Sequence, residues 1–326
     1  MRRFFSFALL VVLCLSTACA QAEAMDAIFD AVDALGAGDV SFATVGDLLC
    51  VTAKKEETVP RFGPAQLTYG LVFRSQTGER IGWDDLFADG GAAAQRLEET
   101  ASAWLYDNAY GSFDNLSPMP RDNFVLGEGT LTVYYPVTQL SWLSGRQVGV
   151  RFFAYELEGL LREDVPLARG DSAQADEALS QALATGCLPG LPQNAVPGVS
   201  IAEADAAFGL VDVPDVQRDA AVYSFEAAEM GGVWLLSPPE QSNPDTAVAN
   251  GIFARRIDFS GLCPGVSTQE ECLAALRAPD ATAAVVSTDG YDRLPEGETA
   301  LWYGDAYALE MHFAGGLLYS VALFAR

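Results

Sequence analysis

Histidine and lysine are almost missing from this chain. Its 326 residues include one histidine, His312, and two lysines, Lys54 and Lys55. One imidazole cannot build a multi-histidine metal centre, and a serine–histidine pair would have to recruit His312 itself. No serine sits in a G-x-S-x-G elbow. Neither lysine follows a glycine-rich turn, so a phosphate-binding loop is excluded as well. Cysteine is sparse, and no C-x-x-C spacing occurs to suggest a zinc site. A calcium loop fails too: Asp85, Asp89 and Gly90 suit positions one, five and six, but Phe87 and Arg96 occupy positions three and twelve.

Long apolar runs are also scarce. The single one, Phe4 to Leu15, follows Arg2 and Arg3 and passes into small residues from Ser16 to Ala22. It is shorter than the roughly 20 residues of a membrane-spanning helix. Charge, apolar core and small-residue tail in that order predict a signal peptide over residues 1–20. Two processing chemistries are open. Ala18-Cys19-Ala20 and Ala20-Gln21-Ala22 offer small residues for simple cleavage, whereas Ala18-Cys19 resembles the end of a lipobox, with Cys19 as the lipidated residue. Ser16 stands where that motif wants Leu, Val or Ile, which favours simple cleavage. The expected location is secreted or on the cell surface, tethered if Cys19 carries lipid. With no second run of spanning length, no transmembrane segment is expected in the mature chain.

What the chain has in excess is acid. Asp and Glu number 44 against 19 Lys and Arg, a net charge of −25. Loss of Arg2 and Arg3 with the leader would make it −27. Such a surface repels nucleic acid and anionic membranes and attracts cationic partners over long range. The same charge also keeps an exported protein soluble. Four cysteines follow the leader: Cys50, Cys187, Cys263 and Cys272. Three connectivities are open, and the short spacing favours a Cys263–Cys272 bridge, worth about 2–3 kcal/mol through the unfolded state.

The patterning predicts an α+β protein. Met25, Ile28, Val32 and Leu35 recur at helical spacing, and Leu67, Tyr69, Leu71 and Phe73 alternate as in a strand. Leu97, Ala101, Trp104 and Leu105 mark a second helix, followed by strand-like segments at 124–126, 131–135 and 148–154. Glycine and proline pairs between 186 and 197 break the pattern, and a domain boundary is expected near 170–195.

Beyond it, Pro197-Gly198-Val199-Ser200 recurs letter for letter as Pro264-Gly265-Val266-Ser267. Glu203 and Glu270 each follow their serine by three residues, the spacing of a capping box at a helix start. Each copy continues into aromatic strands and a glycine turn, so the C-terminal half reads as a duplication. The predicted division is a leader over 1–20, an α+β domain over 21–168 and a helical linker over 169–196. Two tandem helix-plus-antiparallel-sheet repeats then follow, over 197–260 and 261–326.

Several segments carry a family resemblance. They are Tyr69 to Gly78 (YGLVFRSQTG), Trp83 to Phe87 (WDDLF), Asn123-Phe124, Leu131 to Pro136 (LTVYYP), Ser144-Gly145 and Tyr155-Glu156-Leu157. In that order, residues 25–165 resemble the extracellular domain shared by RsiV-type anti-sigma factors and the N-terminal, non-catalytic part of the PdaC peptidoglycan deacetylase. The resemblance implies a partner-binding module outside the membrane, and in RsiV-type proteins the domain binds lysozyme. Two departures stand out. Only three residues precede the apolar run, where an anti-sigma factor carries its sigma-binding segment. The histidines of a deacetylase's metal-dependent domain are missing. Residues 191–326 weakly resemble the helix-and-sheet repeats of β-lactamase-inhibitor-type proteins, which implies a protein-binding sheet surface.

The expectation is therefore a non-enzymatic binding or sensory protein of the bacterial cell surface. Its partner would be a cell-wall component or a cationic protein such as lysozyme, without nucleic acid, metal or cofactor. The alternative is a cell-envelope hydrolase using a carboxylate pair, for which Asp84-Asp85, Glu98-Glu99 and Glu270-Glu271 are the adjacent acids. His312, alternating with the apolar face of its strand, is expected to be solvated beside Glu310.

Overall fold

The computed structural model describes residues 18–107, 117–139, 147–191, 195–208, 210–213, 223–227, 232–238, 246–286 and 294–326. The charged and apolar parts of the expected signal peptide, and the side chain of Cys19, lie outside what is described. Among the described residues, no helix is long and apolar enough to cross a membrane.

The N-terminal half is built on two small antiparallel sheets. Helix α1 (Ala18–Leu35) buries Ile28 and Val32 against the face of the first sheet, whose strands are β1 (Asp39–Val45), β2 (Leu48–Val59) and β3 (Gly63–Arg74). The alternation read at 67–73 lies on β3, where Leu71 and Phe73 pack into the same small core. The second sheet joins β4 (Phe124–Gly127), β5 (Thr130–Tyr135) and β6 (Val148–Phe153). Short α2 (Trp83–Leu86) and longer α3 (Gly90–Asp107) share a second core with both sheets, where Trp83, Leu97, Ala101 and Phe152 are buried. Trp104 and Leu105, expected on the same stripe, have side chains outside those described. Of the acids that partly imitated a calcium loop, Asp89 caps α3: its Oδ1 accepts from the Gly91 and Ala92 amides at 2.9 and 3.0 Å.

Among the described residues, the C-terminal half forms one eight-stranded antiparallel sheet. The first copy supplies β7 (Leu210–Val213), β8 (Tyr223–Ala227), β9 (Val233–Ser237) and β10 (Gly251–Ala254). The second supplies β11 (Ala281–Val285), β12 (Gly297–Tyr303), β13 (Tyr307–Ala314) and β14 (Leu317–Ala325). Each copy is a four-stranded meander, and the last strands join them, with Gly251 opposite Phe324 and Ala254 opposite Val321. The two repeats are thus two halves of one layer. The expected linker helix, here α4 (Ala175–Thr185), packs Leu179, Ala182 and Leu183 into the same core as Trp302, Leu309 and Leu323. Its apolar face covers the sheet, which a mere connector would leave exposed.

The repeated cap is real in both copies, with a shift of one residue in the second. Before α5 (Ile201–Phe208), Ser200 Oγ accepts from the Glu203 amide at 3.2 Å and donates to the Glu203 carboxylate at 2.9 Å. Before α6 (Gln269–Ala275), the cap is Thr268 with Glu271, not Ser267 with Glu270. Thr268 Oγ1 accepts from the Glu271 amide at 3.2 Å, and Glu271 Oε2 accepts the Thr268 amide at 2.8 Å. Ser267 is buried and turned inward, its Oγ accepting from the Cys263 amide at 3.0 Å. The sheet sets this register: Ser200 bridges Val248, and Thr268 bridges Leu317. Identical letters are therefore one residue out of structural alignment. Thr268→Ala should cost about 1 kcal/mol in urea denaturation, whereas Glu270→Ala should change stability by less than about 0.5 kcal/mol.

The predicted Cys263–Cys272 bridge does not form; all four described cysteines are free. Cys272 belongs to the helix–sheet core, while Cys263 lies outside that cluster, close to Tyr155 and Asp258. Burial raises all three buried thiols, Cys50 to about 11, so they are poor nucleophiles.

Arg256 joins the two halves. Its guanidinium is buried and bonds Glu156 twice, at 2.8 and 2.7 Å, and the Arg151 carbonyl at 2.7 Å. Asp258 adds a second tie across this seam, accepting the Gly170 amide at 2.7 Å.

Candidate functional site

A groove of about 780 Å³ lies where α1, β3 and the second sheet meet. The two sheets come together at Gly70 on β3. A β-carbon there would overlap the Phe124 carbonyl, so only glycine allows β4 to approach this closely. The last turn of α1 contributes Ala31, Ala34 and Leu35 to one wall, and β3 lays Leu67, Tyr69 and Leu71 along the floor. Tyr134 and Pro136 at the end of β5 form the opposite wall.

Polar groups are placed at definite positions around this apolar surface. Asn123 accepts the Gly70 amide at 2.7 Å and donates to the Thr68 carbonyl at 3.0 Å. Gln147 Oε1 accepts the Thr68 amide. Near the β2–β3 hairpin, Tyr69 Oη donates to Glu57 at 3.1 Å, and Lys55 pairs with the same carboxylate at 2.8 Å. Those two partners, Lys55 first, hold the Glu57 carboxyl below its usual range. Partial burial, then Glu57, raises the Tyr69 phenol, so it stays a hydrogen-bond donor at neutral pH. Arg80 and Asp122 also line the groove. The arrangement can hold a ligand against an apolar floor and orient it with a few fixed polar groups.

The paired acids stand elsewhere and do backbone work. Asp85 Oδ2 accepts the Gly82 amide at 2.8 Å, Glu98 Oε1 the Met119 amide at 2.6 Å, and Glu271 caps α6. They lie on α2, α3 and α6. Among the described residues, no group of three or more His, Cys, Asp or Glu could hold a metal ion. His312 is fully buried on β13, contrary to the expected solvated position. Its Nε2 lies 2.8 Å from the Pro295 carbonyl oxygen, and its ring meets Tyr319 edge-on at 5.7 Å.

Of the groove residues, Tyr69, Asn123 and Tyr134 fall in the segments that carried the family resemblance. Gln147, Arg80 and the α1 alanines do not. Gln147 meets Thr68 across 79 positions of sequence, a contact that leaves no periodic or motif signal.

No protein-family model matches the chain, and no curated protein matches it. Solved structures similar to it include a DUF3298 family protein from Pseudomonas aeruginosa PAO1, 14% identical with a TM-score of 0.33. That likeness covers 40% of this chain and 64% of the other, which is less than two thirds of its length. A DUF4309 family protein from Bacillus subtilis subsp. subtilis str. 168 is 15% identical with a TM-score of 0.32, over 47% of this chain and 97% of the other. A DUF3298 family member from Bacteroides fragilis is 16% identical with a TM-score of 0.31, over 39% of this chain and 53% of the other.

Proposed function

We propose that this chain is an exported, non-catalytic binding protein of the bacterial cell surface, and that it takes its partner in the N-terminal groove. The observation that carries this reading is the groove itself: an apolar floor with a few convergent polar groups, beside a glycine that lets two sheets meet. The leader-like N-terminus supports export, and the resemblance of residues 25–165 to RsiV- and PdaC-type domains supports a binding role. A net charge of −25 favours a cationic partner, a protein such as lysozyme, through faster encounter at low salt.

The test is affinity capture on the exported chain, with lysozyme and peptidoglycan fragments offered at low and high salt. Capture of the cationic protein should weaken steeply with salt. Ala34 is exposed on the groove wall, so Ala34→Trp fills the groove without entering a core. That variant should lose capture at least tenfold, by roughly the scale of a displaced interface anchor, with its unfolding temperature unchanged. Equal retention by Ala34→Trp and the parent chain would remove the groove from the account.

A further inference from the structure

β3 is the last strand of its sheet, and the groove runs beside its outer edge. Backbone groups of alternate residues point outward along that edge. Val72 accepts the Ile81 amide at 2.8 Å, and the Arg74 amide donates to Glu79 at 2.9 Å. Gly70 and Thr68 are held by Asn123 and Gln147, whose carboxamides do what a neighbouring strand would do. The same alternation places the N–H and C=O of Gln66, and the C=O of Pro64, next in line. Both residues are exposed. Among the described residues, the edge is thus closed by backbone and side-chain partners as far as Thr68 and open from Gln66 toward the hairpin.

Three features beside this opening describe its occupant. The adjoining floor sets Leu67 and Leu71 on either side of Tyr69, with Ala31 and Ala34 on the wall, an apolar surface that suits the branched side chains of an extended peptide. The open edge offers a donor and two acceptors at strand spacing. Lys55 already pairs with Glu57, and Asp122 lines the groove with Arg80, so the attraction for a basic ligand comes from the chain's net charge of −25.

We infer that the groove receives an extended, basic peptide segment of the partner, added as a short strand at Gln66. This rests on the groove reading above and specifies the ligand's chemistry.

The probe is a synthetic decapeptide of alternating lysine and valine, titrated into the exported chain by fluorescence anisotropy. Binding should be lost in Ala34→Trp. Gln66→Pro removes the outward N–H without touching the β2 ladder and should weaken binding about fivefold or more, while Gln66→Ala retains it. Alternate N-methylation of the peptide backbone should weaken it equally, with the protein unaltered. A glutamate–valine peptide should not bind. Equal affinity for the N-methylated peptide, or for the acidic one, overturns the proposal. If the peptide is ignored while glycan fragments bind in an Ala34→Trp-sensitive way, strand addition falls and the groove reading stands. If nothing binds in an Ala34→Trp-sensitive way, both fall.

Discussion

Arg256→Met should destabilise the protein by about 3–5 kcal/mol, because it strands a buried carboxylate whose ion-pair partner among the described residues is Arg256. Glu156 is 8% exposed and Arg256 1% exposed, so water cannot take over the lost bonds. Glu156 Oε2 also accepts the Phe153 amide at 2.9 Å, so the damage reaches the end of β6. The Arg151 carbonyl loses its guanidinium partner at the same time. Chemical denaturation followed by tryptophan fluorescence measures the cost. The double variant Arg256→Met with Glu156→Met should recover much of it, since removing both charges removes the desolvation penalty as well. A single variant within about 0.5 kcal/mol of the parent would show that the pair contributes nothing to holding the halves together.

The second large effect belongs to the C-terminal sheet. Trp302 is completely buried on β12, and its Nε1 donates to the Arg277 carbonyl at 2.9 Å. Trp302→Ala should cost about 3–5 kcal/mol, from lost burial and the cavity left between sheet and helices. The Arg277 carbonyl would also lose its donor. Trp302 belongs to the C-terminal core and not to the groove, so capture below the unfolding transition should match that of the parent chain. Weakened capture at full folding would instead place a binding surface on the sheet.

Comparing the two halves shows what local patterning could reveal. Helical spacing at Ile28 and Val32, and alternation at Leu71 and Phe73, identified α1 and β3 because each pattern lies within one element. The duplicated serine and glutamate spacing likewise revealed two helix starts. It could not show that the second cap had moved to Thr268, since that register is set by the bridge to Leu317 about 50 residues away in the chain. Nor could it show that α4 belongs to the sheet core, because an amphipathic helix looks the same whichever sheet it covers. The expected Cys263–Cys272 bridge failed for a similar reason. Nearness in sequence does not reveal that one thiol faces the helix–sheet core while the other faces Tyr155 and Asp258. His312 looked like a solvated residue by alternation, yet both faces of its strand are covered.

Sequence by itself determined the chemistry available to this protein: a strongly acidic surface, one histidine, an apolar leader-like start and an α+β pattern with an internal repeat. These follow from composition and short-range periodicity, which are properties of the chain before it folds. Tertiary structure decided the rest. It joined the repeats through β10 and β14, buried Arg256 against Glu156, and drew Asn123 and Gln147 onto the edge of β3. Those contacts link residues dozens of positions apart, and only packing and the need to pair buried polar groups select them.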